Sequence, residues 1–323
     1  MTASFHPLAD AAGPPAGPMD HAWAAAMIDH VERVVIGKRP VVDLAVTTLL
    51  AGGHLLIEDV PGVGKTLLAR ALARTIGVNE TRIQGAPDLL PTDLTGASVW
   101  HPDQHRFEFI PGPLFANVVL VDEANRMPPR TQAALLEAME EGQVSADGVT
   151  HALPQPHLII ATQNPIEQQG TYPLPESQLD RFTAATAIGY PSPGHEAAII
   201  AGQLHTAPIS SLRPLLDLHQ LAALQAAARA VTATPALIEY VVRLTTATRT
   251  SPGVRLGASH RAGLQLARMA QASALVQGRS HALPDDVKRL AGPVLTHRVL
   301  TEPGGPTPAQ IVAAAVEHTP VAV

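Results

Sequence analysis

The stretch "HLLIEDVPGVGKTLLARAL" constrains this chain more than any other. An apolar run, a turn holding Gly62 and Gly64, and a Lys-Thr pair opening a helical segment describe a strand, a tight loop and a helix in succession. Glycine lets the main chain take conformations closed to other residues and approach a ligand closely. A loop of this kind aims its amides, and the positive end of the following helix, at an anion such as phosphate. The usual pattern is G-x-x-x-x-G-K-[ST], and Asp59 stands where its first Gly belongs. The competing reading is a turn with no ligand, but it leaves "GKT" at the helix start unexplained.

The rest of the chain supplies the context that such a loop needs. "HLLIED", "VVLVDE" and "HLIIATQNP" are continuous apolar runs without alternation, as expected of parallel strands covered on both faces. "KTLLARALARTIG" follows the first and "PRTQAALLEAMEEGQ" the second, so strand, loop and helix repeat as in a layered α/β domain. "GASVWHPDQHRFEFIPG" interrupts this order and reads as an inserted β-hairpin around the turn "HPDQ". From about residue 195 onward the chain is Ala- and Leu-rich, and Pro and Gly punctuate it into what reads as a small helical bundle.

Composition removes several alternatives. The 323 residues carry a net charge of −6 with no Lys/Arg stripe, which argues against a protein that depends on nucleic-acid backbones. There is no Cys, so disulfides and Cys-ligated metals are excluded. No apolar run has membrane-spanning length and no signal peptide is evident, so a cytoplasmic location without membrane insertion is expected.

Candidate site residues sit at the ends of the apolar runs. Lys65 is suited to β/γ-phosphates, and the Thr66 hydroxyl to Mg²⁺. Asp122 and Glu123 emerge from "VVLVDE" where open α/β sheets place their crevice. They suit a metal-binding acid and a water-polarising base, or alternatively a solvated strand cap. Asn164, ending "IIATQN", is either a neutral amide that orients water or a turn residue before Pro165. Arg181 and Arg261 could balance phosphoryl charge, although a single Arg is more often an ion-pair residue. His101, Asp103 and His105 read as a polar hairpin turn rather than a zinc site. Arg126 is open between an interface contact and an ion pair.

Taken together, "EDVPGVGKT", "RIQGAPDLLPTDLTG", "GPLFANVVLVDEANRMPPRTQAALLEAMEEGQV", "ATQNPIEQQGTYPLPESQLDRF", "LGASHRA" and "VLTHRV" strongly resemble the MoxR family of AAA+ ATPases, over about residues 30 to 300. The resemblance implies a P-loop AAA+ core with a mostly parallel five-stranded sheet, a helix-2 β-hairpin insert at about 97 to 112, and an α-helical lid. The expected division is a disordered tail over 1–20, the nucleotide-binding domain over 21–192, the lid over 193–302 and an unassigned tail over 303–323. ATP and Mg²⁺ are the implied cofactors. Pro61, Gly62, Val63, Gly64, Lys65, Thr66 and Leu67 would cradle phosphate, and Val35, Ile36 and Gly37 match the stretch lining the adenine pocket.

Asp122 and Glu123 would be the Walker B pair and Asn164 sensor 1. Arg181 looks like an arginine finger reaching a neighbouring subunit, and Arg261 like the sensor 2 arginine reaching the γ-phosphate from the lid. The family loop commonly carries Asp or Gly where Asp59 stands. His260 replaces a usual Pro, and Gly85 and Ala86 stand where bulkier residues are common. The implied activity is ATP hydrolysis by a homo-oligomeric, hexameric ring that remodels client proteins, often with partners carrying a von Willebrand factor A domain. A nucleic-acid-dependent motor and a metal-chelatase-like subunit are the rival readings.

Overall fold

The structure, a computed structural model, describes residues 19–321 apart from residues 61, 165–169, 198, 200–208 and 210–211. Helix α1 (His21–Glu32) is capped by Asp20, whose carboxylate accepts from the Ala22 amide at 2.9 Å. Asp20 is therefore held in place, although the sequence reading put it in the disordered tail; residues 1–18 lie outside the described residues. Then come α2 (Arg39–Leu50), β1 (Leu55–Glu58), α3 (Lys65–Thr75), β2 (Glu80–Gln84), α4 (Pro91–Thr95) and a hairpin of β3 (Gly96–His101) with β4 (Arg106–Pro111). β5 (Val118–Asp122), α5 (Pro129–Glu141), a second hairpin of β6 (Gln143–Ala146) with β7 (Val149–Ala152), β8 (Leu158–Gln163), α6 (Glu176–Leu179) and β9 (Ala184–Thr186) complete the α/β half.

The main sheet has five strands in the order β2-β5-β8-β1-β9, and every pairing in it is parallel. Successive strand residues face opposite layers. Leu55, Ile57, Leu120 and Ile160 enter the core beneath α1, α2 and α3, whereas Leu56, Val119, Val121 and Ile159 pack toward α5 and the second hairpin. Burial on both faces is why these strands read as unbroken apolar runs. The edge strands β2, "ETRIQ", and β9, "AAT", lack such runs, so the sequence reading did not name them.

The second half holds α7 (Leu218–Ala230), α8 (Pro235–Thr250), α9 (His260–Val276), α10 (Pro284–Leu295) and α11 (Pro308–His318). A two-stranded ribbon of β10 (Val254–Leu256) and β11 (Leu300–Thr301) joins them, too short to leave an alternating pattern in the sequence. Helix α11 occupies part of the unassigned segment 303–323 and buries Ile311, Val312 and Ala315 against its neighbours. One apolar cluster runs from β1, β5 and β8 through α1–α3 into these helices, so the two halves share a core. Gln225 adds a side-chain bond to the Leu49 carbonyl at 2.7 Å, and Arg289 pairs with Asp43 at 3.0 Å.

Several histidines serve this core rather than a metal. His54 is 8% exposed; its Nδ1 accepts from the Ile159 amide at 3.0 Å and its Nε2 donates to the Met139 carbonyl at 3.0 Å. Burial pushes His54 and His157 down to about 4 and His297 to about 3, and it also lowers His30. These groups are neutral when folded but take up protons near their ordinary value of 6.5 when unfolded. Their stabilising contribution is thus complete above pH 6.5 and declines as pH falls toward 4. Urea-denaturation midpoints measured against pH should hold steady above about pH 7 and drop across that window. A profile flat from pH 7 to 4 would show that these side chains are not buried as neutral imidazoles.

Candidate active site

The carboxyl ends of β1, β5 and β8 converge on one side of the sheet, the edge at which open α/β folds bind ligands. Between β1 and α3, Gly62 has φ +85° and Gly64 φ +101°, left-handed conformations that side chains rarely adopt. Gly64 is the N-cap of α3, so Lys65 and Thr66 form its first turn. Lys65 is 8% exposed, and its Nζ donates to the Asp59 carbonyl at 2.8 Å.

Asp59 has a task that glycine could not perform. Its Oδ1 accepts from the Val60 amide at 2.8 Å, and its Oδ2 accepts from the Ile188 and Gly189 amides at 2.7 and 2.6 Å. The loop is thereby tied to the chain that leaves β9 for the helical half. Lys38 holds the same segment from the other side, donating to the Ile188 and Tyr190 carbonyls at 2.7 and 2.8 Å.

The paired acids are set by the neighbouring strands. Thr162 Oγ1 donates to Asp122 Oδ1 at 2.6 Å and accepts from the Glu123 amide at 2.9 Å. Arg82 pairs with the other Asp122 oxygen at 2.7 Å. Glu123 Oε2 accepts from Gln84 at 3.1 Å and from Arg126 at 3.0 Å, which makes Arg126 an ion-pair residue within its own chain. The Glu123 backbone is left-handed, with φ 54° and ψ 49°, a conformation costing a non-glycine residue about 1–3 kcal/mol. Gly85 accommodates that turn. A Cβ at Gly85 would lie 2.1 Å from the Glu123 carbonyl oxygen, and its amide donates to the Asp122 carbonyl at 2.7 Å.

A cavity of about 520 Å³ collects these groups. Gly62, Gly64, Lys65, Thr66, Leu67, Asp122, Glu123 and Asn164 line it, together with Arg82 and Gln84, which the sequence reading missed. The signal was available: in "ETRIQ" polar Arg82 and Gln84 flank buried Ile83, and Gln84 is in register with Asp122. Thr66 and Asp122 offer a hydroxyl and a carboxylate to one space, oxygen donors suited to Mg²⁺ beside phosphate oxygens and water. Val63 packs partly into the core, and Pro61 lies outside the described residues.

Other expected residues lie apart from this cavity. Val35 is 5% exposed within the core, and neither it nor Ile36 nor Gly37 is among the lining residues. Gly37 instead abuts His195, whose Nδ1 would be 2.3 Å from an added Cβ. Arg181 and Arg261 do not line the cavity either. Both pair with Glu140 near the end of α5, Arg181 at 3.1 Å and Arg261 through the other carboxylate oxygen. On the first hairpin, His101 lies 3.5 Å from Glu108. Among the described residues no three His, Asp or Glu side chains are grouped to hold a metal.

A parallel sheet in this order, a Gly-Lys-Thr loop facing paired acids and a helical second half define a P-loop ATPase fold of the AAA+ class. Comparison with known proteins agrees. The profile of the ATPase family associated with various cellular activities (AAA) matches residues 54–184, and that of the AAA lid domain matches 246–315. Uncharacterized protein YeaC of Bacillus subtilis is 46% identical over 88% of this chain and 88% of its own length. Chaperone MoxR1 of Mycobacterium tuberculosis is 42% identical over 84% and 74%, and protein MoxR of Paracoccus denitrificans 34% over 84% and 86%. A crystal structure of a candidate ATPase from Cytophaga hutchinsonii superposes with a TM-score of 0.87 at 33% identity, covering 94% of this chain and 97% of that one. The chain belongs to the MoxR family of AAA+ ATPases.

The Asp59 tie is directly testable. Asp59→Ala leaves the buried Ile188 amide without its acceptor and should lower unfolding free energy by about 1–3 kcal/mol in urea titrations. An unchanged midpoint would show that the tie contributes nothing to stability.

Proposed function

We propose that this chain hydrolyses ATP to ADP and phosphate within a ring of its own copies and uses the cycle to remodel client proteins. The observation that carries the reading is the single cavity joining Lys65 and Thr66 to Asp122, Glu123 and Asn164. In this reading, water attacks the γ-phosphorus and the bond to the bridging oxygen of ADP breaks. Glu123 accepts the water's proton, and the Asn164 amide orients the water without adding charge. Lys65 balances the charge of the β- and γ-phosphates, and the loop amides around Gly62 and Gly64 hold them. Thr66 and Asp122 would hold Mg²⁺, which when bound would supply further charge neutralisation.

Arg181 is assigned to a neighbouring copy's nucleotide, and Arg261, expected from the sequence to reach the γ-phosphate from the lid, is reassigned to that same neighbour. Their joint placement on Glu140, away from the lining of their own chain's cavity, supports this, and so supports assembly as a condition for turnover. A hexameric ring, a cytoplasmic location and partners with a von Willebrand factor A domain extend the family reading. Among the described residues no helix is long and apolar enough to cross a membrane. The nucleotide-binding domain is assigned to 21–192 and the lid to 193–302, with 189–194 as the hinge and Val35, Ile36 and Gly37 on the adenine side.

Glu123→Gln should bind ATP normally in calorimetry with magnesium yet lose roughly two orders of magnitude or more in turnover. Lys65→Ala should abolish the heat of nucleotide uptake. Arg181→Ala should retain binding but lose most turnover in the assembled protein. Normal hydrolysis by Glu123→Gln would remove the assigned base, and absence of uptake by the parent chain would end the ATPase reading.

A further inference from the structure

A second polar cluster lies away from the loop cavity, and its centre is an anomalous arginine. Arg298 closes the turn Thr296–Arg298 after α10, and the residue is 4% exposed. A buried guanidinium must be paired, because removing its charge from water is costly. Burial pushes Arg298 down to about 10 and Arg261 nearby adds to the push, while Asp180 opposes both. Its Nε lies 3.5 Å from Asp180 Oδ1, and its Nη2 donates to the Phe182 carbonyl and to Gln265 Oε1. The helical half therefore grips residues 180–182 through both the side chain of Asp180 and the backbone of Phe182.

Asp180 is gripped a second time. Ser259 Oγ donates to its carboxylate, 2.8 Å from Oδ1 and 3.0 Å from Oδ2. The same Ser259 is the N-cap of α9, accepting from the Ala262 amide at 3.0 Å. One carboxylate thus joins three segments: the chain after α6, the start of α9 and the turn after α10. Two of those segments carry the arginines. Arg181 follows Asp180 directly, and Arg261 stands two residues beyond Ser259. Their guanidiniums then meet on the two oxygens of Glu140, so they lie close enough together to serve a single anion.

We propose that Asp180, clasped by Ser259 and Arg298, is a positioning residue that presents Arg181 and Arg261 as one two-pronged cation to a neighbouring copy's phosphates. The inference rests on the reading of Arg181 as a finger acting on that neighbour, and it adds why two arginines from different halves of the chain act together. An arginine on an untethered loop must be ordered in the transition state. One whose backbone is already fixed makes its contacts with less loss of freedom. Because the clasp crosses from the α/β half to the helical half, any shift of the lid carries Arg261 relative to Arg181. The pair then forms only in the lid position that keeps Asp180 bonded.

The test uses the full chain, with assembly followed by light scattering and steady-state ATPase rates measured against ATP concentration. Asp180→Asn preserves shape and removes the charge. It should lower kcat roughly tenfold to a hundredfold while KM for ATP and assembly stay within about twofold. Combined with Arg181→Ala, it should add little further loss, because both changes disable the same unit. Full turnover by Asp180→Asn, or losses that multiply in the double variant, would overturn the clasp while leaving the finger reading intact. Full turnover by Arg181→Ala would overturn both. Should Asp180→Asn not fold, Ser259→Ala and Ser259→Thr carry the same question. Loss of kcat in the first with recovery in the second is expected, and parental kcat in both would sink the proposal.

Discussion

Thr162 donates to Asp122 at 2.6 Å and accepts from the Glu123 amide at 2.9 Å, and the geometry of the site depends on that pair of bonds. They exist because β5 lies parallel to β8, with Val121 opposite Ala161, which brings the next residue of β8 beneath the turn that leaves β5. Without this brace the left-handed turn at Glu123 would relax, since a non-glycine residue holds such a conformation only where its surroundings impose it. Gly85 completes the arrangement from β2, on the other side of β5, by leaving room for the Glu123 carbonyl. Two strands flanking the acids thus fix a carboxylate that no local preference would place there.

The loop is restrained in the same manner from the opposite edge. Asp59 binds amides of the segment that leads from β9 into the helical half. The shared apolar core holds the lid helices against α2, and the polar contacts of Asp59, Lys38 and Asp180 sit at the borders of that contact. Apolar burial gives cohesion without direction, whereas hydrogen bonds to charged groups are directional. The polar contacts therefore set the registration of the two halves, which apolar burial alone would leave open.

Much of the architecture was legible in the chain. The three central strands announced themselves because burial on both faces demands unbroken apolar runs. The helices of the second half were readable from Pro and Gly punctuation, and the first hairpin from its turn. The edge strands were not, since "AAT" and "ETRIQ" carry too little apolar signal. The second hairpin, with Asp147 and Gly148 both at positive φ, had the D-G signature of a two-residue turn and went unread. At the site, Lys65, Thr66, Asp122 and Glu123 were recognisable by their chemistry and position. Arg82 and Gln84 left only the faint polar alternation of "ETRIQ", and strand register was needed to bring them and Thr162 to the acids.

What the sequence determined by itself is the local chemistry: glycines that allow a tight loop, a Lys-Thr pair opening a helix, and acids at a strand end. Each follows from residues adjacent in the chain, where backbone preference and side-chain type suffice. The tertiary structure decided the partnerships. It assigned Asp59 to a linker some 130 residues away, two arginines from different halves to Glu140, and a buried Arg298 to Asp180. Such pairings depend on packing that closes long stretches of chain around a common core, and no local pattern encodes which distant group will be opposite.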